Sequence, residues 1–82
     1  MEKYEELARK ILSDLCDTDE IFKDYDLDLL DTGYLDSFAL LDVIVEVEEE
    51  LKIKVRANDI NKEDIRTVNN FIAFLKNMAS KN

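Results

Sequence analysis

Few side chains in this sequence could do chemistry, and Ser37 is the best placed of them. It stands in Gly33-Tyr34-Leu35-Asp36-Ser37-Phe38, between the end of a loop and the run Phe38 to Leu51, which has no Gly or Pro and carries apolar residues at helical spacing. Asp36 is a favoured N-cap residue, so Ser37 falls near the first helical position. Backbone N–H groups there lack partners and the helix dipole is positive, which suits a phosphate ester on the hydroxyl. Asp36 and Ser37 could equally be an ordinary capping pair. Spacing alone does not separate the two readings.

Other chemistries fare badly. The chain has no His, so neither a Ser-His nor a Cys-His nucleophilic pair can be assembled. Activation of Ser37 by a lysine would call for Ser-x-x-Lys, and Leu40 occupies that place. Cys16 ends the first periodic segment and reads as a buried structural thiol, with Asp14, Asp17 and Asp19 expected to raise its pKa. Asp24, Asp26 and Asp28, with Asp31 following, have the spacing of a calcium loop. The pattern then breaks: its sixth position is Leu29 instead of Gly and its twelfth is Leu35 instead of Glu. No dedicated metal site is expected, only weak adventitious binding of divalent cations. Glu48, Glu49 and Glu50 point in different directions on a helix and read as a solvated face. No catalytic residue is expected, and the protein is read as a non-enzyme.

Helices must position Ser37. Tyr4, Leu7, Ala8, Ile11, Leu12 and Leu15 follow the i, i+3, i+4, i+7 pattern, which predicts a first helix from about Glu2 to about Cys16. From Asp17 to Asp36 the chain carries eight acids and one lysine, with Ile21, Phe22, Leu27, Leu29 and Leu30 expected to pin this long connection to the core. On the second helix Leu40, Val43, Ile44, Val47 and Leu51 fall on one side and should face the core. Phe38 and Val45 lie beside that stripe with Asp42, Glu46 and Glu49, a mixture suited to a partner surface. Ile53 and Val55 alternate like a strand but have no second strand to pair with, so a short excursion is expected. Asn58-Asp59-Ile60 and Asn61-Lys62-Glu63-Asp64 offer caps for a short third helix. Thr67 then caps a last helix with Val68, Phe71, Ile72, Leu75 and Met78 inward, and Ala79 to Asn82 reads as a frayed tail. The expected fold is all-α: one domain over residues 1–82, built as a small bundle of three main helices plus one short one.

A hydrophobic content of 46% argues for a folded core despite 38% charged residues. Eleven basic and 20 acidic residues leave a net charge of −9. Such a surface repels nucleic acid and anionic membranes and is complementary to basic patches on other proteins. No apolar run approaches the ~18 residues of a membrane span. The opening Met-Glu-Lys-Tyr-Glu-Glu has no signal-peptide order, and a lone cysteine fits a reducing compartment. A cytoplasmic monomer is expected.

Gly-Tyr-Leu-Asp-Ser-Phe, followed by Leu41, Asp42, Val43, Ile44 and Glu48-Glu49-Glu50, resembles the acyl carrier protein family over nearly the whole chain. That resemblance implies that Ser37 carries a covalent 4′-phosphopantetheine arm, taken from coenzyme A, whose thiol holds acyl or aminoacyl groups as thioesters. It gives Asp36 a role near the magnesium of the phosphopantetheinyl transferase and makes Phe38, Asp42, Val45 and Glu49 the partner-docking face. Further partners would be an adenylating ligase or an acyltransferase with a basic docking patch. Leu15-Cys16-Asp17, Leu35-Asp36-Ser37-Phe38 and Thr67-Val68-Asn69-Asn70 are similar to the D-alanyl carrier proteins of teichoic acid alanylation, from which Ala39 and Arg56 depart. A carrier for fatty-acid, polyketide or other adenylation-dependent synthesis stays open. So does an acidic helical adaptor module with Ser37 unmodified.

Overall fold

The computed structural model describes residues 3–80, and the chain is helical, with no strand among them. Three α-helices follow in order: α1 (Lys3–Cys16), α2 (Ala39–Leu51) and α3 (Val68–Ser80). The start expected at Glu2 lies outside the described residues. Single 3₁₀ turns interrupt the connections at Glu20–Lys23, Ala57–Asp59 and Lys62–Ile65. The last two are what the expected short helix becomes. Asn61 caps the second of them through Oδ1, accepting from Glu63 N–H at 2.9 Å, while Asp64 Oδ2 accepts from Asn61 N–H. Four residues per turn unit leave no room for the i→i−4 ladder, so the tighter 3₁₀ form results.

α1 packs against both α2 and α3. Ala8, Ile11 and Leu12 of α1 meet Val43 and Val47 of α2 and Val68, Phe71, Phe74, Leu75 and Met78 of α3 in one core. Leu40, Ile44 and Leu51, expected as buried, are only partly so, because α2 covers the bundle with a narrower stripe centred on Val43 and Val47. Phe74 is buried where the sequence pattern had not placed it. It stacks on Phe71 with ring centroids 6.0 Å apart. α3 continues through Ala79 and Ser80 instead of fraying there, since Met78 is anchored in the core. Lys81 and Asn82 lie outside the described residues.

Both long helices that precede a connection stop on a left-handed residue: Asp17 and Lys52 each have φ 57°. After α2, the chain is drawn back by Glu48, whose Oε2 accepts the Val55 N–H at 2.9 Å, and Val55 enters the core as the excursion ends. No described helix is long and apolar enough to cross a membrane.

The 17–38 connection is held at its middle by Arg66, just before α3, and by Asn69 in its first turn. Leu29 N–H donates to Arg66 O (2.6 Å) and Asn69 N–H to Tyr25 O (3.1 Å). Side chains repeat the stitch: Asn69 Nδ2 donates to Asp26 Oδ1 and Arg66 Nη1 to Asp28 Oδ2, both at 2.8 Å. Tyr25 links the same stretch to α1, donating its hydroxyl to Glu5 Oε2 at 2.6 Å and accepting from Arg9 Nη1 at 3.2 Å. Ile21 and Leu29 are fully buried, with Phe22, Leu27 and Leu30 packed partly against the core. The 22 residues between α1 and α2 thereby become a platform, because backbone and side-chain groups along them find partners in α1, in α3 and at Arg66.

Candidate functional site

Leu35 is the last core anchor before α2. Its side chain is buried and its N–H donates to Leu29 O at 3.0 Å. The turn that leads to it is built by Asp28, whose Oδ1 accepts from Leu30 N–H (3.0 Å) and Asp31 N–H (2.8 Å). The Asp31 N–H, then the Arg66 guanidinium, hold the Asp28 carboxyl below its ordinary pKa. Gly33 follows with φ 85°, and a Cβ there would meet nothing within 4 Å. Backbone conformation, not crowding, is what calls for glycine at this position.

Two residues past Leu35, Ser37 emerges exposed, and its hydroxyl makes no hydrogen bond to the described residues. Asp36 Oδ1 accepts from Phe38 N–H (3.0 Å) and Ala39 N–H (3.1 Å). Leu40 N–H and Leu41 N–H donate to Ser37 O and Phe38 O, so a tight turn leads into α2, which begins at Ala39. Asp36 caps the helix as expected. The expectation of unpartnered N–H groups around Ser37 is corrected, since this carboxylate has taken two of them. A phosphate on Ser37 would feel the helix dipole but would not find the Phe38 and Ala39 donors free.

Asp36 forms a ridge between two open grooves. One, of about 450 Å³, is lined by Leu30, Asp31, Gly33 and Ser37 together with Lys62 and Arg66. The second, of about 280 Å³, runs past Tyr34, Leu15, Phe38 and Asp42. From the second groove an apolar stripe continues along α2: Phe38 is 79% exposed, Leu41 67% and Val45 53%, with Tyr34 at 38% beside them. Asp42, Val45 and Glu49 are exposed and share one sector of α2 by helical phase, with Asp36, Ser37 and Phe38 in the turn just before its start. Glu46 is half-buried. Leu41 was missed from sequence, although its i+3 spacing from Phe38 and i−4 spacing from Val45 was the available signal.

The remaining chemical candidates have structural employment. Asp24 Oδ1 accepts the Asp26 N–H, and Asp26 and Asp28 bind Asn69 and Arg66, so the acids resembling a calcium loop diverge. Among the described residues no group of carboxylates and thiols is arranged to hold a metal ion. Glu48 and Glu50 are not a solvated face: one caps Val55 and the other pairs with Lys10 of α1. The Cys16 thiol is half-buried, and burial pushes its pKa up to about 11. Desolvation raises it, where the sequence had pointed to the neighbouring acids. Asn69 and Asn70 of the Thr-x-Asn-Asn motif are latches. Asn70 Nδ2 donates to Glu63 O at 2.9 Å, Asn69 holds Asp26, and Thr67 Oγ1 caps the Asn70 N–H at 3.0 Å.

Comparison with known proteins agrees with this geometry. Residues 6–75 match the family described as "Phosphopantetheine attachment site". The D-alanyl carrier proteins of Bacillus mycoides and Bacillus cereus are each 33% identical to this chain over 76 residues, which is 93% of this chain and 96% of theirs. The D-alanyl carrier protein of Bacillus anthracis matches to the same extent. A small helical bundle presenting an Asp-Ser-Phe turn on a rigid platform, matched by that family over most of its length, belongs to the phosphopantetheine-attachment family of carrier proteins, whose members take 4′-phosphopantetheine covalently.

Proposed function

We propose that Ser37 is the single attachment point of the arm and that the loaded protein carries D-alanine for teichoic acid alanylation. The observation that carries the attachment is the presentation of Ser37: an exposed, unpartnered hydroxyl two residues from a buried anchor, next to an open groove. Attack by this hydroxyl on the pantetheine-bearing phosphorus of coenzyme A forms a phosphodiester and releases the adenosine bisphosphate half. We assign that reaction, including removal of the hydroxyl proton, to a separate phosphopantetheinyl transferase, since the carboxylate beside Ser37, Asp36, is engaged in holding the turn. The bound group supplies a terminal thiol at the end of a flexible tether. The protein's own contribution is to hold that tether at a fixed point and raise the local concentration of the cargo for its partners.

Asp36 has two duties in this scheme. It fixes the turn by accepting from Phe38 N–H and Ala39 N–H through Oδ1, which leaves Oδ2 for the metal-bound pyrophosphate that a transferase would bring. Phe38, Leu41 and Val45, edged by Asp42 and Glu49, form the surface that partners grip; a basic rim on an adenylating ligase or acyltransferase would complement it. The cargo assignment rests on the 33% identity to D-alanyl carrier proteins and on the Thr67-Val68-Asn69-Asn70 segment, which resembles theirs. The whole chain acts as one carrier domain, catalysing nothing itself, in the compartment that supplies coenzyme A.

Intact mass after incubation with a phosphopantetheinyl transferase and coenzyme A tests the attachment. One arm should be added to the wild type and none to Ser37→Ala. An unchanged wild-type mass would favour the unmodified adaptor. Loading by a D-alanine ligase, against a fatty-acyl ligase, then tests the cargo.

A further inference from the structure

We propose that Lys62 is the seat for the phosphodiester formed on Ser37, a role that rests on the attachment proposed above. Three observations converge on it. Ser37 and Lys62 line the same open groove of about 450 Å³, although 25 residues separate them in the chain. The N–H groups that a phosphate at the start of α2 would ordinarily use are occupied by Asp36 Oδ1, so the anion must find its counter-charge elsewhere. Lys62 has that charge to give: it is exposed and takes part in none of the ion pairs among the described residues, whereas its neighbour Arg66 is committed to Asp28 and Glu63.

The surrounding field makes the choice of side consequential. Asp31 and Asp36 border the groove, Asp42 lies on the α2 side, and the whole chain is at −9. A phosphodiester is repelled from the acidic α2 face and attracted across the groove towards Lys62. Lys62 sits at the start of the Lys62–Ile65 turn, whose backbone is fixed by the Asn61 and Asp64 caps and by Asn70. Its long stem therefore moves on a fixed base, able to follow the phosphate without releasing the fold. A seat on this side leaves Phe38, Leu41 and Val45 uncovered, so that partner docking and arm anchoring use different faces of the Ser37 turn.

The test compares the unmodified protein with the protein carrying the arm, confirmed by mass. Lysine side-chain NMR should show the Lys62 ammonium signal shifting on arm addition. The remaining lysines are internal controls and should not move. In Lys62→Gln the ³¹P resonance of the arm should sharpen as the phosphodiester is released, and Lys62→Arg should restore the wild-type linewidth. Lys62 is exposed, so both variants should fold. Absence of any mass gain would overturn the attachment at Ser37. Mass gain with an unmoved Lys62 signal, or a ³¹P linewidth indifferent to Lys62→Gln, would overturn the seat and leave the attachment standing.

Discussion

Gly33 and Lys52 show how a single backbone angle weighs on this chain. Both occupy the left-handed region, Gly33 at φ 85° and Lys52 at φ 57°, but only one of them is the residue type that does so without cost. Because a Cβ at position 33 would touch nothing, Gly33→Ala should destabilise by about 1 kcal/mol through conformation alone, with Gly33→Asn milder. Lys52→Gly should do the opposite and stabilise by about 1 kcal/mol, since glycine is the preferred residue where a helix ends this way. Urea unfolding of the three variants measures both signs. An unaffected Gly33→Ala would mean that the turn before Ser37 relaxes to negative φ. Asp28 carries a second effect at this scale, one that depends on pH. Its carboxylate pKa is lowered in the folded state, so its contribution is present above the ordinary value of 3.8 and is lost as pH falls through the lower folded value. Asp28→Asn should therefore flatten the acid limb of stability below about pH 4 and leave its slope near neutrality unchanged.

The helices divide between holding and presenting. α3 and α1 hold: Leu75 and Ile11 are fully enclosed, and Leu75→Ala should cost ~2–5 kcal/mol, a large share of the stability of a domain this small. α2 is a covering helix, so Ile44→Ala, at a half-buried site, should fall below that range. Equal losses at Ile44 and Leu75, measured by urea unfolding, would mean that α2 sits deeper than the structure places it. The outer side of α2 has no part in the core, which makes it free to vary. Asp42→Lys with Glu49→Lys should leave the unfolding midpoint nearly unchanged and slow loading by a cognate ligase, chiefly through the association rate. Leu41→Glu should weaken the same step through lost apolar contact. Loading that ignores all three changes would remove α2 from the docking surface.

At the scale of the molecule the charge of −9 is spread and not concentrated. Acids of the 17–38 connection accept from backbone N–H groups, from Arg66 and from Asn69, and none of the described carboxylates gather into a cation site. Salt should raise the thermal midpoint by screening the general repulsion, and magnesium should do no more than sodium at matched ionic strength. A specific magnesium gain in low-salt melts would show a cluster assembling that the fold as described does not contain. In the proposed carrier role, the same field would draw partners with basic docking patches from beyond contact distance, and the Asp36 turn and the α2 stripe would complete the recognition.

Much of this was legible from residue order alone. Helical periodicity marked α1, α2 and α3 because each buries one face, and a period of 3.6 is written directly into the spacing of Leu, Ile, Val and Phe. Asp36 announced its cap, and Leu35-Asp36-Ser37-Phe38 marked the turn, because capping and turn formation are local events. Tertiary structure decided what depends on distant neighbours. Only packing could show that α2 is half-covered, leaving Ile44 partly open and Phe74 enclosed. Only the fold could bring Asp26 to Asn69 and Asp28 to Arg66, partners 43 and 38 residues apart, turning an acidic run into a platform. Lys62 came to line the same groove as Ser37 in the same way, through contacts that close a loop across the chain, and no periodicity along the sequence encodes that placement.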